Sequence, residues 1–243
     1  MKILSIILAF LIQGVVSAQD GNKILAEIDK NMSASTRYIE STMIVHGKRN
    51  DRTMTSKSYA EGFLKSFTEY LSPAREKGTK MLKLKNEMWM YSPSTDRTIM
   101  ISGHMLRQSV MGSDLSYEDM MDDRKLNEIY NAEITGEETF SDRKCYTLSL
   151  ISKVDDAAYH SQKIWVDVER MIPLQQELYA KSGQLLKRVT FFDIKQVQGR
   201  WYPMKMIYKD VLKDGEGTEW LINKIQFDIT IPEHIFNKAS LKQ

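Results

Sequence analysis

Apolar and polar residues alternate with a period of two along most of this chain. Ile164, Val166 and Val168 alternate with Lys163, Trp165 and Asp167, and Tyr146, Leu148 and Leu150 with Thr147 and Ser149. Tyr202, Met204, Met206 and Tyr208 fall on one face, Leu174 and Leu178 on another. Ile225, Phe227, Ile229 and Ile231 alternate with Lys224, Gln226, Asp228 and Thr230. Strands with one apolar and one wet face produce this pattern, so it predicts a mainly antiparallel sheet. Earlier strands are predicted from Arg37 to Val45, Thr53 to Glu61 and Ser66 to Leu71, then over 78–85, 87–91 and 97–102. Ser92 to Asp96, Lys181 to Gln184 and Asp214 to Gly217 have turn chemistry. Pro73, Pro93, Pro173 and Pro203 are read at strand starts or turns, and Pro232 after the last strand, which suits a meander because Pro cannot donate to a central ladder.

Two segments depart from this alternation. Ile24, Leu25, Ile28 and Met32 follow helical spacing, with Asp20 or Asn22 as cap. Mid-chain, Gly103 to Gly112 is an apolar loop, followed by Ser113 to Arg124, where Ser113 or Ser116 can cap a short helix with Glu118 and Asp119 in its first turn. A plain hairpin needs no such insertion, and the segment is expected to cross the mouth of a barrel or groove. Its apolar residues Met105, Leu106, Val110, Met111 and Leu115 are the candidate ligand-binding residues, the underside of a lid.

Lys2, the apolar run Ile3 to Ile12 and the small residues Val16-Ser-Ala18 read as a signal peptide over 1–18, cut before Gln19, with one domain over 19–243. The apolar run falls short of the about 20 residues that span a bilayer, so no integral membrane span is expected. A formal charge of +2 leaves no electrostatic footprint for nucleic acid. Cys145, the lone cysteine, has no partner for a disulfide and lies in an apolar run that suits a buried thiol. The four histidines are scattered, and no zinc spacing, nucleophile elbow or phosphate loop occurs, so the chain reads as a non-enzyme without cofactor or metal. The 15 methionines stand out, because unbranched, adaptable side chains suit walls that face acyl chains as well as ordinary cores.

Four stretches carry a resemblance. They are Met111-Gly-Ser-Asp-Leu-Ser-Tyr-Glu-Asp119; Trp165-Val-Asp-Val-Glu-Arg-Met-Ile-Pro-Leu-Gln-Gln-Glu177 with Gly183 and Phe191-Phe-Asp-Ile194; Gly199-Arg-Trp-Tyr-Pro-Met204; and Phe227-Asp-Ile-Thr-Ile-Pro-Glu-His-Ile-Phe236. In this order they resemble the outer-membrane lipoprotein-sorting proteins, the LolA-like superfamily of periplasmic carriers. The resemblance implies an incomplete antiparallel β-barrel with short helices lidding its concave face, and an apolar cavity for the acyl chains of a lipid or lipoprotein. It further implies a periplasmic location and an inner-membrane transporter or export permease as partner. The alternative is a docking partner of an export permease without lipoprotein cargo. No gating arginine can be placed by a matching motif.

Overall fold

The computed structural model describes residues 20–122 and 124–243; the expected signal peptide lies outside them. Helix α1, Gly21–Met32, opens the described chain. Asp20 caps it by accepting the Asn22 N–H, and Ile24, Leu25 and Ile28 are fully buried along one stripe. Six strands follow: β1 Thr36–Val45, β2 Arg52–Glu61, β3 Lys65–Ser72, β4 Lys80–Leu84, β5 Glu87–Ser92 and β6 Arg97–Ile101. A crossover then carries two 3-10 turns, Gly103–Arg107 and Val110–Gly112, and two short helices, α2 Tyr117–Met121 and α3 Leu126–Ile129. Seven more strands complete the sheet: β7 Tyr130–Phe140, β8 Arg143–Ser152, β9 Ser161–Asp167, β10 Ile172–Tyr179, β11 Leu185–Val197, β12 Arg200–Asp210 and β13 Thr218–Phe227.

All 13 strands form one antiparallel sheet, in the order β6-β5-β4-β3-β2-β1-β13-β12-β11-β10-β9-β8-β7. It is therefore two meanders joined at a single seam, where β1 pairs with β13 from Arg37 opposite Phe227 to Val45 opposite Thr218. The sheet is an incomplete barrel: its edges, β6 and β7, are not paired with each other. The crossover of residues 102–129 joins those two edges. Its residues Val110, Leu115 and Tyr117 pack against Met43, Met54 and Met88, which places it over the face of the sheet that bears them.

Two readings of side-chain facing are corrected. Leu174 and Leu178 do not share a face: Leu174 is an extra residue between the pairs Pro173–Val166 and Gln175–Trp165, and this bulge reverses the alternation. Leu174 packs with Cys145, Trp165 and Ile172, whereas Leu178 packs with Val189, Phe191 and Met206. The last strand keeps Ile225 and Phe227 buried but stops there, because Asp228 turns to a φ of +55° and donates its N–H to the Thr36 carbonyl. Ile229 and Ile231 lie beyond the strand, half-buried. Pro203 sits inside β12, opposite Ile194, before the pairing with β13 begins at Lys205, so its missing N–H leaves no gap in that ladder.

Helix α1 packs on β7, β8 and β9 through Ile24, Leu25, Ile28, Leu148, Leu150 and Ile164. The C-terminal turns Glu233–Phe236 and Lys238–Lys242 cover another surface, where Leu241 joins Phe67, Leu82 and Trp89. Cys145 is buried, and burial pushes its thiol above the ordinary range. Among the described residues, no helix is long and apolar enough to cross a membrane.

Candidate binding cavity

The crossover is held by hydrogen bonds that its own sequence dictates. Val110 donates its N–H to the Leu115 carbonyl at 2.8 Å and Tyr117 to that of Gln108 at 3.1 Å, closing a small loop around Met111 and Gly112. Gly112 has a φ of +70°, and a Cβ there would lie 2.7 Å from Nη2 of Arg52, so both conformation and space favour glycine. Ser116 and Asp119 form a capping box at the start of α2.

The two carboxylates of this stretch also fasten it to the sheet. Asp114 accepts from the Thr218 hydroxyl at 2.8 Å and from the Asp210 N–H at 3.0 Å, tying the loop to the β12–β13 hairpin. Asp119 takes an ion pair from the Lys187 ammonium on β11 and a hydrogen bond from the Tyr159 hydroxyl. Burial, and then the Asp119 charge, push the Tyr159 phenol far above its ordinary value, so it stays a donor. Arg124 holds the far end to the β8–β9 loop through Asp156 at 3.0 Å. Asp29 of α1 then accepts the N–H groups of Leu126 and Asn127 at 2.7 and 3.0 Å. Burial nevertheless holds the Asp29 carboxyl above its usual range, outweighing those two donors.

All five sequence-predicted residues converge beneath this segment. Val110 and Leu115 are buried, and Met105, Leu106 and Met111 are partly buried against the same cluster. Its floor is Met43, Met54, Tyr70, Met81 and Met88. Met90, Met120 and Met121 pack around it, so methionines meet from both the sheet and the crossover.

Beside this contact lies a mainly apolar cavity of about 360 Å³ between α1, the crossover and β10 to β13, which Asp29, Arg37, Asp119, Asp122, Arg124 and Lys125 also line. Its wall includes Leu178, Val189, Phe191, Tyr202, Met206 and Trp220. A smaller space of about 200 Å³ adjoins it across Ile39, Tyr208 and Trp220, and there Leu115 and Met120 of the crossover form part of the wall. None of the five predicted residues lines the 360 Å³ cavity itself. The alternation of Tyr202, Met206 and Tyr208 already marked one apolar face, but that this face bounds open space follows from sheet curvature, which alternation does not encode. Gln162 lines the same cavity and holds a buried Oε1 without a hydrogen-bond partner.

A family model described as "Uncharacterized protein" matches residues 62–243, well over half of the chain. Among solved structures, a domain described as that of an outer membrane lipoprotein-sorting protein from Vibrio parahaemolyticus aligns with a TM-score of 0.78 at 24% identity, covering 92% of this chain and 98% of that one. A LolA superfamily protein from Nitrosomonas europaea aligns with a TM-score of 0.77 at 21% identity, over 92% and 100%. The chain belongs to the matched family and has the LolA-like fold. A DUF1329 family protein from Desulfovibrio piger shares this LolA-like fold, with a TM-score of 0.80 at 24% identity over 91% and 97% of the two chains. No curated protein matches the chain.

Proposed function

We propose that this protein is a periplasmic carrier that holds the acyl chains of a lipid or lipoprotein in the cavity beneath α1 and the crossover. It receives them from an inner-membrane transporter or export permease and passes them toward the outer membrane. The observation that carries this reading is the mainly apolar cavity of about 360 Å³ on the inner face of a LolA-like sheet. That volume lies in the range of about 300–1,000 Å³ common to small-ligand sites. Each buried CH₂ contributes about 0.8 kcal/mol, so chain burial alone gives firm, non-covalent holding. The role is binding rather than catalysis.

In this reading the crossover is the lid, and Met105, Leu106, Val110, Met111 and Leu115 are its underside. Native mass spectrometry of protein gently released from periplasm is expected to show bound lipid mass. Binding of a fluorescent lipid is expected to disappear in the Leu106→Asp/Met111→Asp variant while circular dichroism stays β-rich. A variant that unfolds would make the segment a static part of the core. One that stays folded and binds as before would remove the segment from the binding site.

A further inference from the structure

One neutral polar side chain is set among the apolar residues of the cavity wall. Gln162 lies on β9, on the same face as the fully buried Ile164 and Val166. Its cross-strand partners are Leu150 on β8 and Leu178 on β10. Gln162 is only 7% exposed, and its Oε1 accepts no hydrogen bond. Among the described residues one other buried side-chain polar atom shares this condition, the Tyr70 hydroxyl, and Tyr70 does not line this cavity. An unpaired buried acceptor lowers stability, because its lost hydration is not replaced.

Donors in the same wall are turned elsewhere. The Tyr130 hydroxyl donates to the Tyr159 carbonyl at 3.0 Å, and the Tyr159 hydroxyl to Asp119. Arg124 donates to Asp122 at 2.8 Å and to Asp156 at 3.0 Å. The charges of the wall balance, with Asp29, Asp119 and Asp122 against Arg37, Arg124 and Lys125, so no net charge selects the ligand. A second carboxamide, Gln176, lines the same cavity and stands opposite Ile164 on the neighbouring strand. That register makes it the diagonal neighbour of Gln162, about 7–8 Å away along the sheet. The two side chains offer an acceptor and a donor a short distance apart, which matches the N–H and C=O of an amide.

We propose that Gln162 Oε1 accepts a hydrogen bond from an amide N–H at the head of an acyl chain, with Gln176 Nε2 donating to the amide carbonyl. This rests on the carrier reading and narrows its cargo to a lipid with an amide-linked chain. Oε1 is enclosed by neighbouring atoms, and rotation about the soft last torsion of the side chain turns it to the ligand. Chains joined only through esters bring acceptors alone and leave Oε1 unpaired.

The test uses the mature protein and two probes, the N-methylamide and the methyl ester of one pyrene-labelled long-chain fatty acid. Burying an amide N–H without a partner is costly, so a cavity with no acceptor to offer prefers the ester. The wild-type protein is expected to bind the amide about fivefold more tightly. Gln162→Met keeps the bulk and removes the acceptor, so it is expected to reverse the preference while ester affinity and the thermal midpoint hold or rise. A merely structural Gln162 would instead lower the midpoint and weaken both probes alike. Gln162→Asn, which withdraws the carboxamide by one CH₂, is expected to cut the preference as well. Retained amide preference in either folded variant overturns the proposal. Equal wild-type affinities, or tighter binding of the ester, overturn it too and leave the carrier standing, whereas binding of neither probe overturns both.

Discussion

At the residue scale, Asp119 is the point where the crossover, the sheet and a neighbouring loop meet. Its partner Lys187 is buried, with a side chain about 10% exposed, so losing the carboxylate strands an ammonium in a poorly hydrated place. Asp119→Leu is expected to destabilise the protein by about 3–5 kcal/mol, the usual cost of breaking a buried pair from one side. Adding Lys187→Met should recover much of that loss, which urea denaturation of the single and double variants would reveal. Asp167 makes a second prediction. It is fully buried, which on its own would raise its pKa, but Arg143 at 2.9 and 3.1 Å and the N–H groups of Glu169 and Arg170 hold it below the usual carboxylate range. A lowered folded pKa contributes stability that is fully present above the unfolded value of about 3.9 and is lost as pH falls through the folded value. The urea midpoint should therefore drop below about pH 4, and Asp167→Asn should flatten that drop while lowering the midpoint at neutral pH.

At the element scale, the sequence motifs turn out to be fasteners. Asp114 and Asp119 hold the crossover, Asp167 holds the β9–β10 turn, and Arg200 and Gln198 hold the end of β13. Phe227 sits there with 1% exposure, edge-on to Tyr202 at 5.4 Å, and its backbone N–H donates to the Gln198 side chain at 2.7 Å. Phe227→Ala is expected to cost about 3–5 kcal/mol in denaturant unfolding; a change of a few tenths would mean that the ring borders open space. The helix and most hairpins were legible because spacing, caps and turn residues are local signals. The bulge at Leu174 was not, since one inserted residue reverses facing without leaving a mark in composition. Nor was the use of Asn31, which donates to the Arg170 and Met171 carbonyls and accepts from the Trp201 N–H. The sequence placed it on the helix but could not show which turns come within its reach.

At the scale of the whole molecule, the methionine-rich contact beneath the crossover separates a movable segment from a continuous sheet. Residues 103–122 hold few backbone ladder bonds, so their amides are expected to exchange with solvent ahead of those in β1 and β13, and addition of a bound lipid should slow them. Uniform exchange across both would remove the case for a moving lid. The meander and the crossover's existence were readable from the alternation and its interruption. Which two strands the crossover joins as edges was not, because that is settled by the β1–β13 pairing between distant parts of the chain. This seam has a consequence of its own. The first six strands and the last seven are each contiguous in sequence, and the crossover is the one covalent link between them. Helix α1 belongs to the first part yet packs on β7, β8 and β9 of the second. The protein is therefore built as a natural split pair: two polypeptides divided within 102–129, produced together, should find each other through a clasped helix and a shared strand ladder.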